Sequence, residues 1–339
     1  EFIDAVFGEG IAKYFMKPYN FKVWAHPARM MNKEWIGERV AVIDINRALK
    51  NVIMGQDDFG WGPNNQFKFP LRGGTGEFYK RFGPFLDGHL TLNKRMEAVD
   101  VENKVVLFAD GTSEPYDVLL STVPLDVLFR QYLKGSVSKR AADAAMSLRH
   151  SGGHMVGIGL KQPCPSTKSW MYFPEDNCPF YRVTYLSNYS PYMTPNKDEY
   201  YSLLCETSYS EFKLVARETI VEETIQGLIN SGMLTEDDRK DIVSTWSYDA
   251  AYSYPTPTVD RDEILSLVIP YLEERSIYSR GRFGMWKYEV ANTDHSLMQG
   301  VEFVDRMLLG QKETTIGIKY ASTEDGRAAA VHERAVVAG

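Results

Sequence analysis

One stretch constrains the fold more than any other. Ile277 to Gly310 reads as a strand, a glycine-flanked arginine (Gly281-Arg282-Phe283-Gly284), a polar loop and a helix. Leu297, Met298, Val301, Val304 and Leu308 recur at helical spacing from about Asp294 and predict its buried face, with Gly310 as the C-terminal cap. A strand passing through a glycine turn into a helix belongs to α/β architecture. Asn292-Thr293-Asp294-His295-Ser296 opens that helix, where backbone N–H groups can face an anion. An ordinary capped helix accounts for the same residues.

Upstream the pattern alternates between short elements. Glu1 to Met16 is predicted helical, with Phe2, Ile3, Val6, Phe7, Ile11 and Phe15 on one face and Pro18 ending it. Phe67 to Gly76 (FKFPLRGGTG) reads as a strand-like piece entering a glycine turn, and Glu77 to Leu86 as a short helix. Leu90 to Leu92, Ala98 to Val101 and Val105 to Phe108 alternate like strands, Asp110-Gly111 marks a turn, and Tyr116 to Val123 looks like a buried strand. Further strands are predicted at Met155 to Leu160, Trp170 to Phe173 and Tyr181 to Leu186, and a helix at Glu218 to Leu234. Beyond Gln311 the tail has no pattern and is expected to be poorly ordered.

Composition narrows the function classes. A net charge of −7 argues against general nucleic-acid binding, which relies on a basic surface. Three cysteines without a CxxC pair argue against a disulfide framework and for a reducing compartment, so the cytoplasm is expected. No apolar run reaches the length of a membrane span. A homo-oligomer is allowed but not specified. Length favours two subdomains over one.

Most chemical motifs fail on inspection. Gly8-Glu9-Gly10 lacks the third glycine of a dinucleotide fingerprint. His150 and His154 flank Ser151-Gly152-Gly153, which breaks the helix that an HExxH metal site needs, and no metal is expected. Gly73-Gly74-Thr75-Gly76 would let backbone approach a ligand, although a tight turn explains it equally well. Arg39, Arg182 and Arg282 each lie among aromatic residues: Trp35 near the first, Tyr172 and Tyr181 near the second, Trp286 and Tyr288 near the third. Arginine binds diphosphates in a fork, so an anionic, aromatic ligand fits these settings.

Five stretches go further: 17–41 (KPYNFKVWAHPARMMNKEWIGERVA), 61–76 (WGPNNQFKFPLRGGTG), 170–191 (WMYFPEDNCPFYRVTYLSNYSP), 254–258 (YPTPT) and 279–296 (SRGRFGMWKYEVANTDHS). Together and in this order they resemble the eukaryotic-type UDP-galactopyranose mutases, from about residue 1 to Gly310. The resemblance implies an FAD-dependent flavoprotein fold of the α/β class: the remainder of a Rossmann-like FAD domain, a mixed sheet and a helical substrate region. It implies an isomerase that interconverts UDP-galactopyranose and UDP-galactofuranose without net redox change. Reduced flavin attacks the anomeric carbon through N5 in that family, and NAD(P)H is the expected reductant.

Roles follow position by position from the resemblance. Phe15, Asn20 and Trp24 match residues that hold the uridine, and Arg39 and Arg182 match the two that grip the diphosphate of UDP-galactose, with Tyr172, Tyr254 and Tyr288 assisting. Arg39 and Arg182 are the expected catalytic pair. Asn64 and Trp170 match positions near galactose and flavin, while Gly73, Gly74, Gly281, Arg282, Asn292, Thr293 and Ser296 are the expected FAD contacts. Two departures stand out: Ser253 and Ala291 where the family has glycine, the second straining the backbone if its φ is positive. The family's GxGxxG segment is expected upstream of Glu1.

The expected domains are a helical substrate-binding region at 1–60, part of the FAD domain at 61–150, a mixed sheet and substrate region at 151–270, and a C-terminal FAD-binding unit at 271–310. The competing readings are an amine-oxidase or protoporphyrinogen-oxidase type of flavoenzyme, which has no evident need for Arg39 and Arg182 together, and a non-catalytic nucleotide-sugar-binding fragment.

Overall fold

A computed structural model describes residues 2–36, 44–56 and 67–317. The chain divides into two compact units, each discontinuous in sequence: 1–29, 36–90 and 150–254 form the first, and 30–35, 91–149 and 255–339 the second.

The first unit is built on a five-stranded sheet in the order Ile242–Pro255, His150–Leu160, Tyr201–Tyr209, Arg182–Tyr185, Trp170–Tyr172. Strand alternation sorts its residues onto two faces. Val156 pairs with Cys205, Ile158 with Leu203 and Leu160 with Tyr201, and these six belong to one buried apolar cluster with Val183 and Tyr185. The helix Ile220–Asn230 covers that face through Ile220, Ile225 and Leu228. The opposite face carries Tyr172, Arg182 and Glu206, which lie side by side in register. Gly153 in the His150–Leu160 strand has a steric reason: a Cβ there would lie 2.9 Å from Ser253 Oγ, so the serine at 253 occupies room that the glycine leaves.

The N-terminal helix does not stop at Pro18. Phe2–Ile11 is broken at Gly8, whose φ of 76° is not helical, and a π-helical turn at Ala12–Met16 then leads into Lys17–Trp24. Pro18 sits in the first turn of the last piece, directly after the π-helical turn, a position where its fixed φ suits a helix. Phe67 to Pro70 forms no strand, because it finds no sheet neighbour; the chain turns through Gly73 into the helix Gly74–Lys80 and a 3-10 turn at Gly83–Leu86.

The second unit holds a four-stranded sheet, ordered Ser113–Pro115, Val105–Phe108, Met96–Asp100, Leu133–Lys134, and a parallel pair, Leu119–Ser121 with Ile277–Ser279. The expected buried strand at 116–123 shrinks to that three-residue piece, and Val118 and Leu120 face outward. Helix Arg261–Glu273 is buried on nearly all sides. Helix Thr293–Leu309 has the expected span and the expected cap, with Gly310 in the left-handed region at φ 69°. Its expected buried face is wrong. Leu297, Met298, Val301, Val304 and Leu308 are exposed, while Gln299 and Phe303 are buried. Phe303 packs on Tyr278, and Arg306 joins Arg280, Glu273 and Glu313 in a buried ion network at 2.6–3.0 Å. These polar anchors, rather than the apolar stripe, fix the helix rotation.

Candidate functional site

In the first unit, neighbouring strands bring Arg182 opposite Glu206, and the two form a fork. Glu206 Oε1 accepts from Arg182 Nε at 2.6 Å and Oε2 from Nη2 at 2.8 Å. Tyr181 donates its hydroxyl to Glu206 Oε2 at 2.8 Å and lies 3.2 Å from the Tyr254 hydroxyl. Desolvation pulls the Arg182 guanidinium down, but the adjacent Glu206 charge outweighs it and holds the group well above its ordinary value. Burial pushes the Tyr181 phenol far up, so it remains a neutral donor. Trp24 packs edge-on against Tyr254 at 5.6 Å.

An aromatic row extends this cluster. Phe15 stacks on Tyr19 at 5.1 Å, Tyr19 meets Tyr172 edge-on at 5.2 Å, and Tyr172 accepts a hydrogen bond from Trp170 Nε1 at 2.9 Å. Phe67 continues the row from Trp170 to Tyr189. Phe15 and Tyr172 keep substantial exposed surface, which suits stacking on a flat ring. Asn20 is buried and donates back to Met16 O at 2.6 Å, and Trp24 is buried too, so both brace the helix in this form.

Of the expected site residues, Arg39 and Asn64 lie outside the described residues. Phe15, Tyr172 and Trp170 come together in the row, and Arg182, Tyr254 and Trp24 in the network. Tyr181 stands beside Arg182 as the sequence suggests, whereas Glu206, Tyr19 and Tyr189 are supports not singled out from the sequence. Glu206 carried one signal: an acid within the apolar run Tyr201-Ser202-Leu203-Leu204-Cys205.

The second unit holds the other set. Gly281 adopts φ 88°, a conformation that side chains disfavour, and its N–H donates to Gln299 Oε1 at 2.7 Å. Gln299 Nε2 reaches Val290 O at 2.9 Å, so one buried amide ties both ends of the 281–290 loop. Arg282 donates to Ala291 O at 3.2 Å and lies over the Tyr288 ring at 5.7 Å. Ala291 has φ −118°, so the methyl there strains nothing. Asn292 stands at the N-cap position, Thr293 opens the helix, and Ser296 N bonds Asn292 O. Arg261, fully buried, grips Glu289 in a fork at 2.8 Å for both bonds and holds the loop from beneath. Gly73 and Gly74, at the start of helix Gly74–Lys80, belong to the first unit.

FAD fits the residues of the second unit. The helix N-terminus offers backbone N–H groups and a favourable dipole to a phosphate. His295 Nδ1, in that first turn, is buried and has no partner among the described residues, which marks a polar position left for a further group.

Residues 26–283 match the family described as flavin containing amine oxidoreductase. Among solved structures, the chain is similar to a reduced UDP-galactopyranose mutase, with 43% identity over 97% of this chain and 69% of that one and a TM-score of 0.88. It also matches a Pyrococcus furiosus protein at 12% identity over 66% of this chain and 48% of that one, with a TM-score of 0.41 that carries no argument.

Proposed function

The chain belongs to the UDP-galactopyranose mutases and carries the flavin-containing amine oxidoreductase fold, and on that premise we propose that it interconverts UDP-galactopyranose and UDP-galactofuranose. The likeness along nearly its whole length carries this reading, and the Arg182 network supplies the chemistry expected of it.

The isomerisation breaks the bond between the anomeric carbon and the diphosphate, then remakes it after the ring has closed through a different hydroxyl. UDP therefore departs as an anion and must return. Arg182 is assigned to the diphosphate, where a charged hydrogen bond contributes about 1.5–3 kcal/mol. Arg39 is the second grip, and Tyr254, Tyr172 and Tyr288 add neutral donors. Phe15 is assigned to the uracil ring, with Asn20 and Trp24 supporting its helix; Trp170 and Asn64 are assigned to the sugar. Reduced FAD, when bound, supplies the nucleophile for the anomeric carbon. Gly281, Arg282, Asn292, Thr293, Ser296, Gly73 and Gly74 are the residues assigned to hold it. The protein's contribution is placement and electrostatics.

NAD(P)H is the proposed reductant, tested by anaerobic bleaching of the flavin. The three cysteines are free thiols, which supports a cytoplasmic setting. No helix among the described residues is long and apolar enough to cross a membrane. The functional test supplies UDP-galactofuranose to the flavin-loaded protein with and without dithionite. Conversion to UDP-galactopyranose only with dithionite is expected; none in either case would refute the assignment.

A further inference from the structure

Behind the proposed diphosphate grip sits a negative charge. Glu206 is 6% exposed, whereas the Arg182 side chain is 33% exposed, so the carboxylate lies on the protein side of the guanidinium. It occupies Nε and Nη2, leaving Nη1 without a partner among the described residues. Tyr181 holds the carboxylate from the other side and links it to Tyr254. An arriving diphosphate thus meets a cation that is already largely neutralised.

We propose that Glu206 limits how tightly UDP is held, by subtracting from the field that Arg182 presents to it. The inference rests on the mutase reading. Coulomb interaction falls only as the inverse of distance and is weakly screened where water is scarce, so a buried carboxylate behind the arginine repels a phosphate in front of it. A reaction that releases and recaptures UDP in each turnover needs a grip that is firm but not saturating. A purely structural Glu206 has the opposite consequence: without it Arg182 would lose its orientation, and UDP would bind more weakly.

The sign of the change in UDP affinity therefore decides. Dissociation constants for UDP would be measured by calorimetry on the flavin-loaded protein, beside steady-state kcat and KM. Glu206→Gln removes the charge and is expected to tighten UDP about tenfold. KM for the sugar nucleotide should fall, and kcat should fall with it as release slows. Glu206→Asp keeps the charge but withdraws it by one methylene, and is expected to tighten UDP about threefold. Because that variant leaves no buried arginine without a counter-charge, it carries the test even where the glutamine variant fails to fold. Unchanged or weaker UDP binding in Glu206→Asp, or in a folded Glu206→Gln, would overturn the inference. Arg182→Ala checks the underlying reading separately: it should weaken UDP binding by about tenfold or more, and wild-type affinity there would remove the premise instead.

Discussion

Lys213 shows how a single side chain can work against the fold that contains it. Its ammonium is buried and donates to Ser208 O at 2.9 Å, and desolvation, aided by the nearby Lys22 charge, lowers it to about 8 from an ordinary 10.5. The unfolded chain therefore binds more protons than the folded one between those values, so stability rises with pH across that window and the cost is fully present below it. Lys213→Met is expected to gain about 1–2 kcal/mol at pH 7 in urea unfolding and to flatten the rise between pH 8 and 10.5. A loss of stability at pH 7 would show that the bond to Ser208 outweighs the desolvation. At this scale the sequence was legible wherever chemistry is carried by residue type. Arg182 and Tyr172 follow from residue type, Trp170 and Phe15 only from the family resemblance, and all four lie in one unit. The partner of Arg182 was not legible, because Glu206 lies 24 residues away and meets it only through the register of two strands.

Elements reveal a different limit. Helix Arg261–Glu273 escaped notice because it is buried around its circumference, which removes the amphipathic period, and because Pro270 interrupts it. The helix Thr293–Leu309 was located well but rotated wrongly, since a buried glutamine and an arginine network hold it rather than its leucines. The loop between them depends on the Arg261–Glu289 fork. Glu289→Ala leaves a fully buried guanidinium with Asp262 as its remaining ion-pair partner among the described residues and is expected to cost about 3 kcal/mol in chemical denaturation. Arg261→Met combined with Glu289→Leu should recover much of that loss, since the apolar pair leaves no charge to desolvate. If the double variant is as unstable as the single one, the fork has a shape that apolar packing does not replace. Because Glu289 lies in the loop that joins Arg282 to Asn292, Glu289→Ala should also release flavin faster than the double variant does.

Across the whole molecule, the α/β class was legible from the strand–turn–helix unit, and the mutase resemblance from five ordered stretches. Two units were expected from length, but the points where the chain crosses between them were not legible, because each is assembled from three separated segments and no linker composition marks the crossings. Function at this scale is a claim about electrons. An isomerase returns its flavin to the reduced state with every turnover, whereas an oxidase of the same fold takes one pair of electrons from each substrate molecule and needs an oxidised flavin to receive it. The direct test reduces the flavin-loaded protein with a limiting, measured amount of dithionite under strict anaerobiosis and counts UDP-galactopyranose formed from UDP-galactofuranose per reducing equivalent. Many products per electron pair, with the flavin still bleached at the end, are expected. No product, or product that stops at one per reduced flavin, would contradict the mutase assignment.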